Sequence, residues 1–129
     1  MRFLLDTHLL IWAAQSDAPG DQRGADVLID DPANLLHFSA ASLWEVAIKF
    51  ALQRPRFRID PRLLRRALID NGYIEVPITA EHGAAVAGLP PLHKDPFDRI
   101  LVAQATIEGL MLLTTDSMLA RYPGPIQVV

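Results

Sequence analysis

Four carboxylates occupy comparable places in this chain: Asp6 after the apolar run Phe3-Leu4-Leu5, Glu45 in the second turn of a helical stretch, Asp98 opening another, and Asp116 after an apolar run. All four can reach one end of a sheet. Like charges gathered there repel and raise one another's pKa unless a cation joins them. Only oxygen is offered, which suits Mg²⁺ or Mn²⁺ better than zinc. Ions so held can polarise a phosphodiester, make water acidic and stabilise a leaving oxygen. No Ser or Cys stands beside an evident base, so water is the coherent nucleophile. Each carboxylate also has a plain structural alternative. Asp6 could cap a helix, Glu45 could pair with Lys49 one turn on, Asp98 could be the reciprocal partner of a cap at Asp95, and Asp116 could cap a last short helix.

Smaller groups surround this set. Thr7, Ser39, Thr115 and Ser117 can hydrogen-bond carboxylates or hold waters, or merely cap helices. Capping accounts for Asp95, with ion binding as the alternative. Arg99 could contact a phosphate or lie on the helix surface. His93 could assist a proton transfer, meet a partner, or serve only to place its loop. His8 reads as a packing or interface residue, and Trp12 and Trp44 as core or dimer-contact aromatics. Arg54, Arg56, Arg58, Arg62, Arg65 and Arg66 make up six of the 12 basic residues within one short segment. An all-arginine cluster favours carboxylate or phosphate recognition through the planar fork; a solvated helix pair is the alternative.

The elements that must position these groups follow from pattern. Strands are expected at 2–7, 35–38, 73–76, 111–114 and 126–129, each short and mostly apolar, as strands covered on both faces are. Helices are expected at 8–14, 21–29, 40–52, 61–70, 79–86, 96–109 and 117–121, with a turn at 16–20. Ser39, Asp60, Thr79 and Asp95 are the natural caps, Pro61 and Pro96 the first helical residues, and Gly109 the stop. Strands alternating with helices make one open α/β unit around a parallel sheet. Asp6-Thr7-His8 stands where a glycine-rich phosphate loop would have to be, which leaves dinucleotide and P-loop readings little support.

At 129 residues the chain is expected to be one domain. The absence of Cys removes disulfides, thiolate chemistry and sulfur-bound zinc. A net charge of −3 argues mildly against a surface that grips nucleic acid all over. No apolar run approaches a membrane span and no signal peptide is evident, so a cytoplasmic location is the default expectation.

The segments Phe3-Leu4-Leu5-Asp6-Thr7-His8, Ser39-Ala40-Ala41-Ser42-Leu43-Trp44-Glu45, His93-Lys94-Asp95-Pro96-Phe97-Asp98-Arg99 with Ala103-Gln104-Ala105 behind it, and Thr114-Thr115-Asp116 occur in an order and spacing that is similar to PIN-domain ribonucleases. In particular the chain resembles the VapC-like toxins of type II toxin–antitoxin pairs, over essentially its whole length. The resemblance implies a PIN domain over residues 1–129 with sheet order 3-2-1-4-5. It also implies an acidic site of Asp6, Glu45, Asp98 and Asp116, and Mg²⁺- or Mn²⁺-dependent RNA hydrolysis by in-line water attack with the 3′ oxygen leaving. Asp6 and Asp98 would be the foremost direct metal ligands, with Glu45 binding metal or positioning water and Asp116 completing a second metal site or holding a ligating water. A homodimer and a silencing cognate antitoxin are further implications, with the Arg54 to Arg66 cluster meeting RNA or antitoxin. Two other functions are compatible with the same residues: a catalytically inactive PIN-fold module that binds RNA or protein, and a PIN nuclease outside any toxin pair.

Overall fold

The computed structural model describes residues 1–15 and 23–129. Five strands form one wholly parallel sheet in the order β3-β2-β1-β4-β5: β1 Arg2–Leu5, β2 Leu35–Ser39, β3 Ile74–Val76, β4 Met111–Thr114 and β5 Ile126–Val128. The helices are α1 Thr7–Ala14, α2 Arg23–Asp30, α3 Ala40–Ala51, α4 Pro61–Asp70, α5 Ala80–Ala85 and α6 Pro96–Glu108. The α/β class and the strand order are those expected. The turn expected at 16–20 and the first two residues of the helix expected at 21–29 lie outside the described residues. No helix among the described residues is long and apolar enough to cross a membrane.

The central strand shows why its residues are almost all apolar. Phe3 and Leu5 face one cluster, with Leu9, Leu10, Phe38, Val46, Leu64 and Leu113. Leu4, between them, faces the other, with Leu101, Val102, Ala105, Leu112 and Leu119. Alternate side chains of a strand point to opposite faces, so a strand sandwiched between helix layers needs an apolar residue at every position. Helices α1, α3 and α4 pack together on the first face, while α5 packs against α6 on the second.

Element ends are chemically marked. The side chains of Asp6, Ser39, Asp60 and Asp95 accept backbone N–H groups at the starts of α1, α3, α4 and α6, and Thr79 forms a capping box with His82 at α5. β1 is shorter than expected because Asp6 leaves it to cap α1 and Thr7 is already helical. Two expected helices tighten. α5 gives way to a 3₁₀ turn at Val86–Gly88, and 117–121 forms only the 3₁₀ turn Leu119–Arg121. Pro90, Pro91 and Pro123 follow closely and cannot extend a helix.

Two glycines separate conformational need from open space. Gly109 closes α6 at φ 68°, whereas Gly83 lies within α5 without a positive φ, and a Cβ at either would meet nothing within 4 Å. Gly109→Ala is expected to destabilise by about 1 kcal/mol, and Gly83→Ala to stabilise by about 0.5–1 kcal/mol. Urea denaturation of both variants checks the opposite signs.

Candidate metal centre at the end of the sheet

Asp6, where β1 stops, is buried and bound on both oxygens. Oδ1 accepts the Leu9 N–H at 2.9 Å and Oδ2 accepts the Thr114 hydroxyl at 2.5 Å. Burial raises its pKa above the ordinary value, and the neighbouring Glu45 adds to that, while the Thr114 and Leu9 hydrogen bonds and the nearby His8 oppose it. The cap alternative for Asp6 is therefore realised, with Glu45 as a charged neighbour.

Glu45, one turn into α3, is 2% exposed. Lys49 pairs with its Oε2, the i,i+4 contact expected from sequence. Its Oε1 is buried with no hydrogen-bond partner. Such an orphaned acceptor costs free energy unless something joins it.

Asp98, in the first turn of α6, has its pKa pushed up to about 7. Burial is the largest cause, followed by the charges of Asp95, Glu45, Asp6 and Asp116. The three other candidate acids thus act on Asp98 from three different elements. Asp116 follows β4. Its N–H donates to Thr114 Oγ1 at 3.0 Å, and its Oδ1 accepts the Met118 N–H at 2.9 Å, just ahead of the 3₁₀ turn Leu119–Arg121, which has Met118 at its N-cap and no side-chain cap, so Asp116 is not the cap of the last helical turn. Asp98 is not the reciprocal cap partner of Asp95, whose backbone N–H donates to His93 Nδ1 at 3.0 Å while its carboxylate accepts Phe97 N–H at 2.9 Å.

His93 stands among these acids, its Nε2 3.6 Å from Asp98 Oδ2 and 3.5 Å from Asp116 Oδ2. One ligand atom each from His93, Asp98 and Asp116 lies within 4.8 Å of the others, a group able to hold a divalent ion. The expectation of oxygen alone is thereby widened, because an imidazole from the 89–95 loop enters the acidic group.

The supporting residues divide. Thr7 donates to Ser42 at 3.0 Å, pinning α1 to α3. Ser39 caps α3 and donates to the buried Gln104 Oε1 at 2.5 Å, which ties the helix bearing Glu45 to the helix bearing Asp98. Gln104 and Ser42 were given no role by the sequence. Thr115 and Ser117 are exposed, and Thr114 is the residue that binds Asp6 and Asp116. A signal for it existed, since Thr114 is the one polar side chain in an otherwise apolar strand. Thr114→Val keeps the shape and removes the hydroxyl. It is expected to cost about 1.5–3 kcal/mol in urea denaturation and about 10-fold or more in divalent-metal affinity by calorimetry.

Arg99 does not project toward the acids as a free phosphate ligand. Its guanidinium donates to the carbonyls of Pro90, Val86 and Leu89 at 2.9, 3.1 and 3.4 Å and to the Tyr122 hydroxyl at 3.1 Å. It therefore clamps the loop that carries His93.

The arginine cluster also divides. Arg65 grips Glu75 with two nitrogens at 2.7 and 3.3 Å, and Arg62 pairs with Asp60 at 3.1 Å. Arg54, Arg56, Arg58 and Arg66 are exposed. Phe57, between them, is buried, with the Lys49 ammonium 4.7 Å above its ring and the exposed His8 ring 5.7 Å away. Through Phe57 and Lys49 the basic segment abuts Glu45. Trp12 is half-buried against the core, and Trp44 is 62% exposed with its ring 5.3 Å from Phe97.

Several solved structures share the fold. A Rickettsia felis VapBC2 structure, bound to a promoter DNA fragment, is similar with a TM-score of 0.69 at 14% identity, covering 99% of this chain and 98% of that one. VapBC-1 from nontypeable Haemophilus influenzae is similar at 0.63 with 15% identity, covering 99% and 98%. Mycobacterium tuberculosis VapC20, a sarcin–ricin loop cleaving toxin, is similar at 0.63 with 16% identity, covering 92% of each chain. At these identities the likeness is one of fold. No curated protein matches the chain. The PIN domain model, however, matches residues 3–125, nearly the whole sequence. By that match, the chain belongs to the PIN-domain family.

Proposed function

We propose that this protein is a divalent-metal-dependent endoribonuclease that acts as the toxin of a toxin–antitoxin pair and is silenced by a cognate antitoxin. The observation that carries the reading is the convergence on Asp98, whose carboxyl is lifted to about 7 by burial and by the charges of Asp95, Glu45, Asp6 and Asp116. Such a group of acids is costly without a cation. The orphaned, buried Oε1 of Glu45 supports the same fit. Asp6 and Asp98 would hold a Mg²⁺ or Mn²⁺ ion directly, with Glu45 and Asp116 as further ligands or as acceptors for water. When bound, the ion supplies Lewis-acid polarisation of the phosphodiester and acidifies water.

The chain's own residues do the remainder. Thr114 holds Asp6 by hydrogen bond, the bridge from Ser39 to Gln104 holds α3 against α6, and the caps fix where each helix begins. Water attacks phosphorus in line and the 3′ oxygen leaves. Exposed Arg54, Arg56 and Arg58, next to Lys49 through Phe57, would draw the RNA backbone or an acidic antitoxin segment toward the acids. A homodimer is part of this reading. An apolar recess of about 300 Å³ lined by Trp44, Phe97, Ile78 and Ile100 lies open beside the start of α6 and suits a second copy. Likeness in fold to the VapBC structures supports the toxin assignment.

Incubation of antitoxin-free protein with a mixed cellular RNA pool tests the activity. Discrete fragments are expected with Mg²⁺ or Mn²⁺ and none with chelator. Cleavage indifferent to chelator, or no cleavage by folded, metal-loaded protein, would contradict it.

A further inference from the structure

We propose, on the nuclease reading above, that the apolar groove beside Lys49 is a subsite for one unpaired nucleotide of the RNA, its base on the apolar floor and its phosphate at Arg54 and Arg56. The end of α3 and the chain that follows it enclose a groove of about 460 Å³. Ile48, Leu52, Pro55 and Phe57 give it an apolar surface. Ile48 is 38% and Leu52 61% exposed, so both lie open to an occupant. Lys49, Arg54 and Arg56 supply three cations, and among the described residues no carboxylate lines the groove. Neither Arg54 nor Arg56 has an ion-pair partner among the described residues, whereas Arg62 and Arg65 are paired with Asp60 and Glu75.

Backbone geometry builds this groove in advance. Gln53 stands at φ 56°, the left-handed conformation that a helix end usually gives to Gly or Asn. Its N–H donates to the Phe50 carbonyl at 3.0 Å, and the Arg54 N–H returns to the Lys49 carbonyl at 3.0 Å. The chain is thereby folded back against the last turn of α3. The Phe57 N–H then donates to the Arg54 carbonyl at 3.0 Å, and the Phe57 ring is buried with the Lys49 ammonium 4.7 Å from its centre. Arg54 and Arg56 are in this way set on the same groove as Lys49.

A nucleotide matches this combination. Its base has apolar faces that stack on apolar side chains and guanidinium planes, and its phosphate accepts from the planar fork of arginine. Within a duplex both faces are covered by neighbouring bases, so only an unpaired nucleotide can offer one. Position favours RNA over any other anion. Lys49 is both a wall of the groove and the ion-pair partner of Glu45. A nucleotide seated there is therefore a close neighbour of the phosphate that meets the acids.

Anisotropy of a fluorescent, single-stranded RNA hexamer of mixed sequence, in chelator so that no strand is cut, tests the subsite. An abasic hexamer with the same phosphates is expected to bind wild-type protein about 10-fold more weakly than the intact one. Leu52→Ser should weaken the intact hexamer several-fold and leave the abasic one unchanged, while Arg54→Ala should weaken both by about fivefold. Arg2→Ala removes an exposed charge at the opposite end of the sheet and should change neither. The same sequence closed into a hairpin stem should compete poorly. Equal binding of intact and abasic hexamers, equal loss in Arg2→Ala and Arg54→Ala, or no binding by folded wild type would overturn the proposal. Poly-glutamate that displaces the intact hexamer as well as unlabelled RNA does would assign the groove to an acidic peptide instead, and would also overturn it. If the cellular RNA pool stays uncut in Mg²⁺ while the base dependence is seen, the nuclease reading fails and the subsite stands; if the pool is cut and the base dependence is missing, the subsite alone fails.

Discussion

An Asp98→Asn protein is expected to lose RNA cleavage by about 10²–10³-fold, and yet to melt at a higher temperature than wild type when both are free of metal at pH 8. The two effects have one cause. The Asp98 pKa is raised from 3.8 to about 7 in the fold, so the folded state binds that proton more tightly than the unfolded state does. The associated stability is complete below about pH 4 and is lost as the pH rises through the folded value. Asp6, raised by burial, acts in the same direction. Glu75, held down by Arg65, opposes the trend only near its unfolded value of 4.5 and adds little slope toward neutral pH. His37, lowered from 6.5 by burial, opposes the trend in the acid part of the range. The quantity to follow is therefore the difference in melting temperature between variant and wild type. It should be near zero below about pH 4, grow as the pH rises from there through the folded value, reach about 5 °C at pH 8, and shrink when millimolar Mg²⁺ is added to the wild type. A difference independent of pH would show that the carboxylates do not share one field.

Arg99→Ala should be the most damaging single change outside the core, at about 3 kcal/mol. Three backbone carbonyls and the Tyr122 hydroxyl accept from this one guanidinium, and hydrogen bonds to charged groups contribute about 1.5–3 kcal/mol each before the losses overlap. Arg99→Lys should recover little of this, because an ammonium cannot span the fork that binds Pro90 and Val86 together. If Arg99 instead contacted a phosphate, Lys would preserve both charge and fold, and only RNA affinity would change. Urea denaturation of both variants separates the two roles.

Much of the fold is legible because its signals are local. Asp-Pro at 60–61 and 95–96 starts helices, Gly109 ends one, and uninterrupted apolar runs mark strands buried on both faces. The acids could be placed at one end of the sheet for the same reason, since each closely follows a strand or opens a helix beside one. What could not be read depends on contacts between distant positions and on which face a residue takes. Thr114 and Thr115 are equivalent by composition, but a strand alternates its side chains, and the partner that distinguishes them, Asp6, is 108 residues away. Arg99 follows an acid in sequence, yet α6 turns it toward the 86–90 carbonyls. Nothing short of the folded loop shows that His93 presents Nδ1 to the Asp95 amide and Nε2 to the acids.

Hydrolysis by water at a carboxylate-held metal is tested most directly by the origin of the oxygen in the product. RNA is cleaved with Mg²⁺ in ¹⁸O-labelled water by wild-type protein and by Asp98→Asn, and the fragment ends are analysed by mass. The expected result is 3′-hydroxyl ends and 5′-phosphates carrying one ¹⁸O, formed by the wild type alone and abolished by chelator. Ends bearing a 2′,3′-cyclic phosphate, or equal cleavage by the variant, would contradict it.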